Sequence, residues 1–145
     1  MAQWKQVVVG VDGSEDSRRA LQWASEEASE HGAQLVAVSS WTQPLLLPTP
    51  QQSGVPLDTD PTRLAENTKA MLEETLSEVL GDSPSVSVKS SVVEGSPAKV
   101  LIDLSGSAEL LVVGSRGVGG FTGLLLGSVS QHVAAHAQCT VTVVR

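Results

Sequence analysis

The sequence predicts an α/β protein, a mostly parallel five-stranded sheet with helices on both faces, and three observations carry that prediction. Five short apolar runs alternate with four stretches of helical spacing along 145 residues. Two of the runs, "KQVVVGV" and "ELLVV", are compact and valine-rich, as strands covered on both faces are. Strands separated by helices need crossover connections, which are right-handed and leave neighbouring strands parallel. The length suits one compact domain, 1–145, large enough for a continuous core.

Each element has its own signal. Lys5 to Val11 reads as a buried strand, and "DGSED" after it as a turn. From about Asp16 to Glu30, Ala20, Leu21, Ala24 and Ala28 recur at helical spacing, with charges on the opposite face. Gly32 stands where helices stop, and Ala33 to Trp41 is a second strand. The stretch 42–60 carries Pro44, Pro48, Pro50 and Pro56 and reads as an irregular excursion within one fold, since a single βαβ before it is too small for a domain. Asp60-Pro61 starts the next helix, with aspartate as N-cap and proline at the first helical position. Leu64, Thr68, Met71, Leu72, Thr75, Leu76 and Val79 form its apolar stripe, and Gly81 ends it. Ser85 to Val93 alternates like a strand with one solvated face. Ser96-Pro97 opens a short helix, Leu110 to Val113 is the fourth strand, a helix runs from about Val129 to Ala137, and "TVTVVR" is the last strand.

Composition limits the function. Hydrophobic residues make up 41%, which fits a globular chain. A net charge of −7 with no block of lysine or arginine argues against nucleic acid as a partner. No apolar run approaches the length of a membrane span. The opening "MAQWKQVVVG" runs straight into a strand pattern, and the single cysteine, Cys139, fits a reducing compartment, so the expected location is the cytoplasm.

The chemistry concentrates in "GSRGVGGFTGLLLGSVS", Gly114 to Ser130, which holds six of the thirteen glycines. Glycine is costly in ordered structure unless the backbone needs positive φ or something must approach it closely. Gly127-Ser128 opens a helix, whose first amides lack helical partners and whose dipole favours an anion. Gly114 and Gly117 would let backbone amides reach a second face of that anion, with Ser128 and Ser130 as hydroxyl donors and Arg116 as the loop's one charge. Ser128-Val-Ser-Gln131 is also a capping box, which needs no ligand. No lysine follows a glycine in the loop, so this is no Walker A motif, and the dinucleotide fingerprint GxGxxG is missing. Asp12, at the end of the first strand, is either a turn residue or a partner for ribose hydroxyls or a metal. Ser14 reads as the N-cap of the first helix, and Val38 either as core strand alone or as core that also offers backbone atoms and an apolar wall to a base. His132 and His136 stand four apart, but no third metal ligand is apparent, so no metal site is assigned. Cys139 reads as a small packed hydrophobe.

In parallel sheets ligands bind at the carboxyl ends of strands where the winding reverses. "DGSED" and the glycine-rich loop would meet there if strands one and four were neighbours. The pattern G-x2-G-x9-G-[ST], met by Gly114, Gly117, Gly127 and Ser128, resembles that of the universal stress proteins in their ATP-binding branch. "VVVGVDGSEDSRRALQWA" and "AQCTVTVVR" extend the resemblance over the whole chain. It implies a Rossmann-like fold of the adenine nucleotide alpha hydrolase kind, strand order 3-2-1-4-5, and a homodimer through the terminal strand. It further implies bound ATP, with Mg²⁺. Asp12 would then meet the ribose and Val38 the adenine, while Gly114, Gly117, Gly127, Ser128, Val129 and Ser130 surround the phosphates. Arg116 falls at a position that varies in the family.

Three functions are compatible with these residues. The first is a nucleotide-dependent regulatory module of a stress response. The second is a slow ATPase or phosphotransferase, for which the sequence offers few catalytic groups. The third is an interaction module that uses no nucleotide. AMP or cyclic AMP in place of ATP remains open, because a backbone-lined site does not demand three phosphates.

Overall fold

The computed structural model describes residues 3–44, 59–117 and 126–145. Its elements run β1 Gln6–Gly10, α1 Glu15–Glu30, β2 Gln34–Trp41, α2 Pro61–Leu80, β3 Val88–Glu94, α3 Pro97–Ser105, β4 Leu110–Gly114, α4 Ser128–His136 and β5 Thr140–Val144. The five strands form one sheet in the order β3-β2-β1-β4-β5, and every pairing is parallel. Most of 42–60 and the glycines at 119, 120 and 123 lie outside the described residues.

Alternation along β1 divides the core into two layers. Val7, Val9 and Val11 face α1 and α2, where they meet Ala20, Leu21, Ala24, Ala28 and Leu72. Val8 faces the other side with Val36, Leu111, Val100, Leu101 and Val133 from β2, β4, α3 and α4. Alanines on the inward face of α1 let that helix lie close over the sheet, and all of them are fully buried. Helices therefore cover both faces, and β1 and β4 are central neighbours.

The helix ends follow their sequence signals. Ser14 caps α1 by accepting a hydrogen bond from Ser17 N at 3.2 Å. Asp60 caps α2 by accepting from Thr62 N at 2.9 Å, with Pro61 in the first turn. Gly32 and Gly81 take positive φ, 65° and 76°, where the chain leaves α1 and α2. β3 starts later than the alternation from Ser85 predicts. Val88 pairs with Leu35, so residues before Ser87 run past the start of β2 and have no strand to join. Cys139 is half-buried against the α3–α4 layer. Burial pushes its thiol pKa up, and the charge of Glu109 adds to the shift.

Candidate functional site

The carboxyl ends of β1 and β4 open onto a cleft with a volume of about 530 Å³. The strand order sets its two sides. β2 lies on one side of β1 and brings Val38 and Ser40, with Val100 and Leu101 from α3 and Met71 from α2, an apolar wall. β4 lies on the other side and brings Gly114, Arg116 and Gly117, followed by Gly127, Ser128, Val129 and Ser130 at the start of α4. Asp12, just past β1, stands between. All nine residues that the sequence singles out line this one cleft. Among the described lining residues Asp12 and Arg116 are the charged ones.

The glycines owe their place to space, since among the described residues positive φ occurs at Gly13, Gly32, Gly81 and Gly95. A Cβ on Gly114 would lie 2.7 Å from the carbonyl carbon of Asp16, so a side chain here would strike the main chain of α1. Gly114 thus serves helix–loop packing first. A Cβ on Gly117 would meet Asp12 Oδ2 at 2.7 Å, and one on Gly127 would come within 3.3 Å of Arg116 Cα. The spacing that separates these glycines in sequence lets the two ends of the loop lie against each other and against Asp12.

The capping box expected at Ser128 does not form. Gly127 is the N-cap, in extended backbone geometry (φ −74°, ψ 171°), and Ser128 is the first helical residue. Gln131 turns its side chain back to donate to Leu126 O at 2.7 Å. The first main-chain bond of α4 runs from Gln131 N to Gly127 O at 3.0 Å. The amides of Ser128, Val129 and Ser130 therefore have no partner within the helix, and they border the cleft. Ser130 is buried, its hydroxyl donating toward Ser115 O at 2.9 Å and Gly127 O at 3.0 Å, so it braces the helix start.

Asp12 takes the turn role and also lines the cleft. Its Oδ1 accepts from Ser14 N at 2.9 Å and from Ser14 Oγ at 2.5 Å, a turn that shapes the entry to α1. Its Oδ2 stands beside Gly117. Magnesium is commonly held by one or two carboxylates together with phosphates and water, and one carboxylate in the same cleft as the first amides of α4 fits that donor set. Among the described residues no group of three His, Cys, Asp or Glu side chains gathers at a metal-binding distance. The rings of His132 and His136 sit 5.0 Å apart.

Sequence reasoning missed Asp16. It reads there as one charge at the start of a helix, yet it is buried beneath the loop after β4. Its Oδ2 accepts from Ser115 Oγ at 2.7 Å and from Arg116 N at 3.1 Å, and its Oδ1 is bonded to the Arg19 guanidinium. The Ser115 bond holds the Asp16 carboxyl below the usual carboxylate range. Burial opposes that shift, and Arg116 N and the Arg19 charge add to it. Arg116 Nε also lies 3.7 Å from Asp16 Oδ2, so the loop's one cation is drawn partly toward that carboxylate. The signal was the meeting of "DGSED" with the β4 loop, which only the β1–β4 pairing makes visible.

A family model described as the universal stress protein family matches residues 3–145. The chain belongs to this family. It is 40% identical over 139 residues to a universal stress protein of Mycobacterium tuberculosis, covering 96% of this chain and 43% of that protein. The chain thus spans somewhat under half the length of the curated relatives it matches. Among solved structures, a universal stress protein of Lactobacillus plantarum superposes with a TM-score of 0.76 at 21% identity over the full length of both chains. Another, solved in complex with cAMP, gives 0.61 at 27% identity, covering 99% of this chain and 98% of its own. One from Archaeoglobus fulgidus in complex with dAMP gives 0.66 at 20% identity, covering 99% and 100%.

Among the described residues no helix is long and apolar enough to cross a membrane. A second cleft, between α1 and the end of α2, has a similar volume but is lined by Glu26, Glu27 and Glu30. Like charge disfavours a phosphate there.

Proposed function

We propose that this universal stress protein binds an adenine nucleotide, ATP with Mg²⁺, in the β1–β4 cleft and works as a nucleotide-dependent regulatory module of a stress response in the cytoplasm. One observation carries the reading. The residues of the G-x2-G-x9-G-[ST] pattern, the unpartnered amides of α4 and Asp12 share one cleft with an apolar wall around Val38. Phosphates would sit on the α4 amides beside Gly117, the ribose near Asp12, and the adenine against Val38, Val100 and Leu101. Such a division suits a ligand with one anionic and one flat apolar end. Ser128, at the helix start and exposed, adds a hydroxyl to the phosphate side.

The neighbours solved with cAMP and dAMP support adenine as the base, and the first of them favours cyclic AMP as a second reading for the same cleft. The terminal strand supports a further part of the proposal. β5 is a half-buried, valine-rich edge, and pairing with its own copy across a two-fold axis would cover it.

Thermal unfolding of nucleotide-stripped protein tests the reading. A ligand at about a hundred times its dissociation constant adds about 2.7 kcal/mol, a rise of several degrees for a domain of this size. The expected result is such a rise with Mg-ATP, smaller with AMP and cyclic AMP, and no phosphate release on prolonged incubation. Phosphate release would make the protein a slow ATPase. No rise with any of the three would remove the nucleotide and leave an interaction module.

A further inference from the structure

We propose that Asp16 is the positioning residue of this cleft: from beneath the loop, without lining the cleft, it fixes the main chain of 115–117 and ties that turn to the terminal strand. The proposal rests on the nucleotide reading of the cleft for its consequence, and on ligand-free geometry for its mechanism.

Ser115 is the junction. Its N–H donates to Val144 O at 2.8 Å, at the end of β5. Its carbonyl accepts from Gly127 N at 2.5 Å and from Ser130 Oγ at 2.9 Å, at the start of α4. Its hydroxyl donates to Asp16 Oδ2 at 2.7 Å, in the first turn of α1. Every polar group of this buried residue is therefore used, and each is used on a different element. Asp16 Oδ2 takes the next amide as well, Arg116 N at 3.1 Å. One carboxylate oxygen thereby sets the direction in which the chain leaves β4, one residue before Gly117 reaches the cleft.

The other oxygen, Oδ1, is bonded to Arg19, whose Nε donates to Arg145 O at 3.1 Å. The turn and the last residues of the chain are thus joined twice, through Ser115 N to Val144 and through Asp16 and Arg19 to Arg145. Packing enforces the arrangement. Gly114 lies so close to the main chain of Asp16 that no Cβ fits between them, so α1 and the end of β4 are in direct main-chain contact. Asp16 is absent from the cleft lining, so it acts on a ligand only through the turn.

The two oxygens divide the work, and substitution separates them. Asp16→Asn, with its amide oxygen placed toward Ser115 and Arg116, keeps both turn bonds and loses the Arg19 bond. Asp16→Ala loses all of them, and Ser115→Ala loses the hydroxyl bond alone. Hydrogen bonds to a charged group are each worth enough to change an equilibrium by about tenfold or more.

The experiment measures amide hydrogen exchange at Ser115 and Arg116 in ligand-free protein, and ATP affinity by titration calorimetry well below the unfolding temperature. Asp16→Ala should raise exchange at Arg116 about tenfold and weaken ATP about tenfold. Asp16→Asn should restore both to within about threefold of wild type. If Asp16→Ala proves unfolded, Ser115→Ala supplies the same comparison, with a smaller loss of protection and affinity. Unchanged exchange at Arg116 in a folded Asp16→Ala or Ser115→Ala protein overturns the proposal. So does ATP binding that stays weak in Asp16→Asn while exchange at Arg116 returns to the wild-type value, since that would make the charge and not the turn the cause. Wild type that takes no ATP refutes the nucleotide reading instead, and the ligand-free exchange still decides whether Asp16 holds the turn.

Discussion

The three glycines of the G-x2-G-x9-G-[ST] pattern are not equivalent, and the difference lies in what a methyl group would strike. At Gly114 it would meet the backbone of Asp16 at 2.7 Å, which cannot yield without moving α1. At Gly117 it would meet the carboxylate end of Asp12, a side chain and not main chain, although one that Ser14 also holds. Gly114→Ala should therefore destabilise the fold by about 1–3 kcal/mol, seen as a lower denaturant midpoint. Gly117→Val should lower the midpoint less than Gly114→Ala does and abolish detectable ATP binding. A Gly117→Val protein that binds ATP like wild type would show that the turn does not hold the phosphates. At this scale the sequence was readable where a residue's role is local. Ser14 and Asp60 cap because serine and aspartate accept from amides two or three positions on, whatever the rest of the chain does. Ser128 fits the same local rule, but Gly127 takes the cap position against residues 115–117. Asp16 was illegible for the related reason that its partners stand about a hundred positions away in sequence.

Elements carried most of what the sequence could tell. Helical spacing on α1 names the buried alanines because one packed face dictates it. Continuous valine runs name β1 and β4 because a central parallel strand is covered on both sides. The edges were harder, and β3 illustrates why. Its start depends on where β2 begins, a pairing fact that no pattern within 85–93 contains. β5 is the other edge, with Val141 and Val143 half-buried against the α3–α4 layer. An edge of this composition left bare invites pairing, and the proposed dimer answers it. Sedimentation velocity over a wide concentration range should show a dimer that dissociates on dilution. A monomer at every concentration would mean that β5 is covered in some other way.

For the molecule as a whole, strand order is what makes the site. Placing β1 beside β4 brings a loop near residue 12 to one near residue 116, and the apolar wall from β2 and α3 completes the cleft. The order itself followed from the family pattern and not from periodicity, because hydrophobic spacing identifies strands without ranking their neighbours. The apolar contributions of Met71, Val100 and Leu101 to the cleft were likewise invisible, since in sequence they are ordinary members of helical stripes. The chain spans under half the length of its curated relatives. Binding is decided most directly by an amide-resolved NMR titration of nucleotide-stripped protein with Mg-ATP. The account predicts saturable shifts that centre on Gly117, Ser128, Val129 and Ser130 and extend to Asp12 and Val38. No shifts at saturating nucleotide, or shifts centred on Glu26, Glu27 and Glu30 in the second cleft, would contradict it.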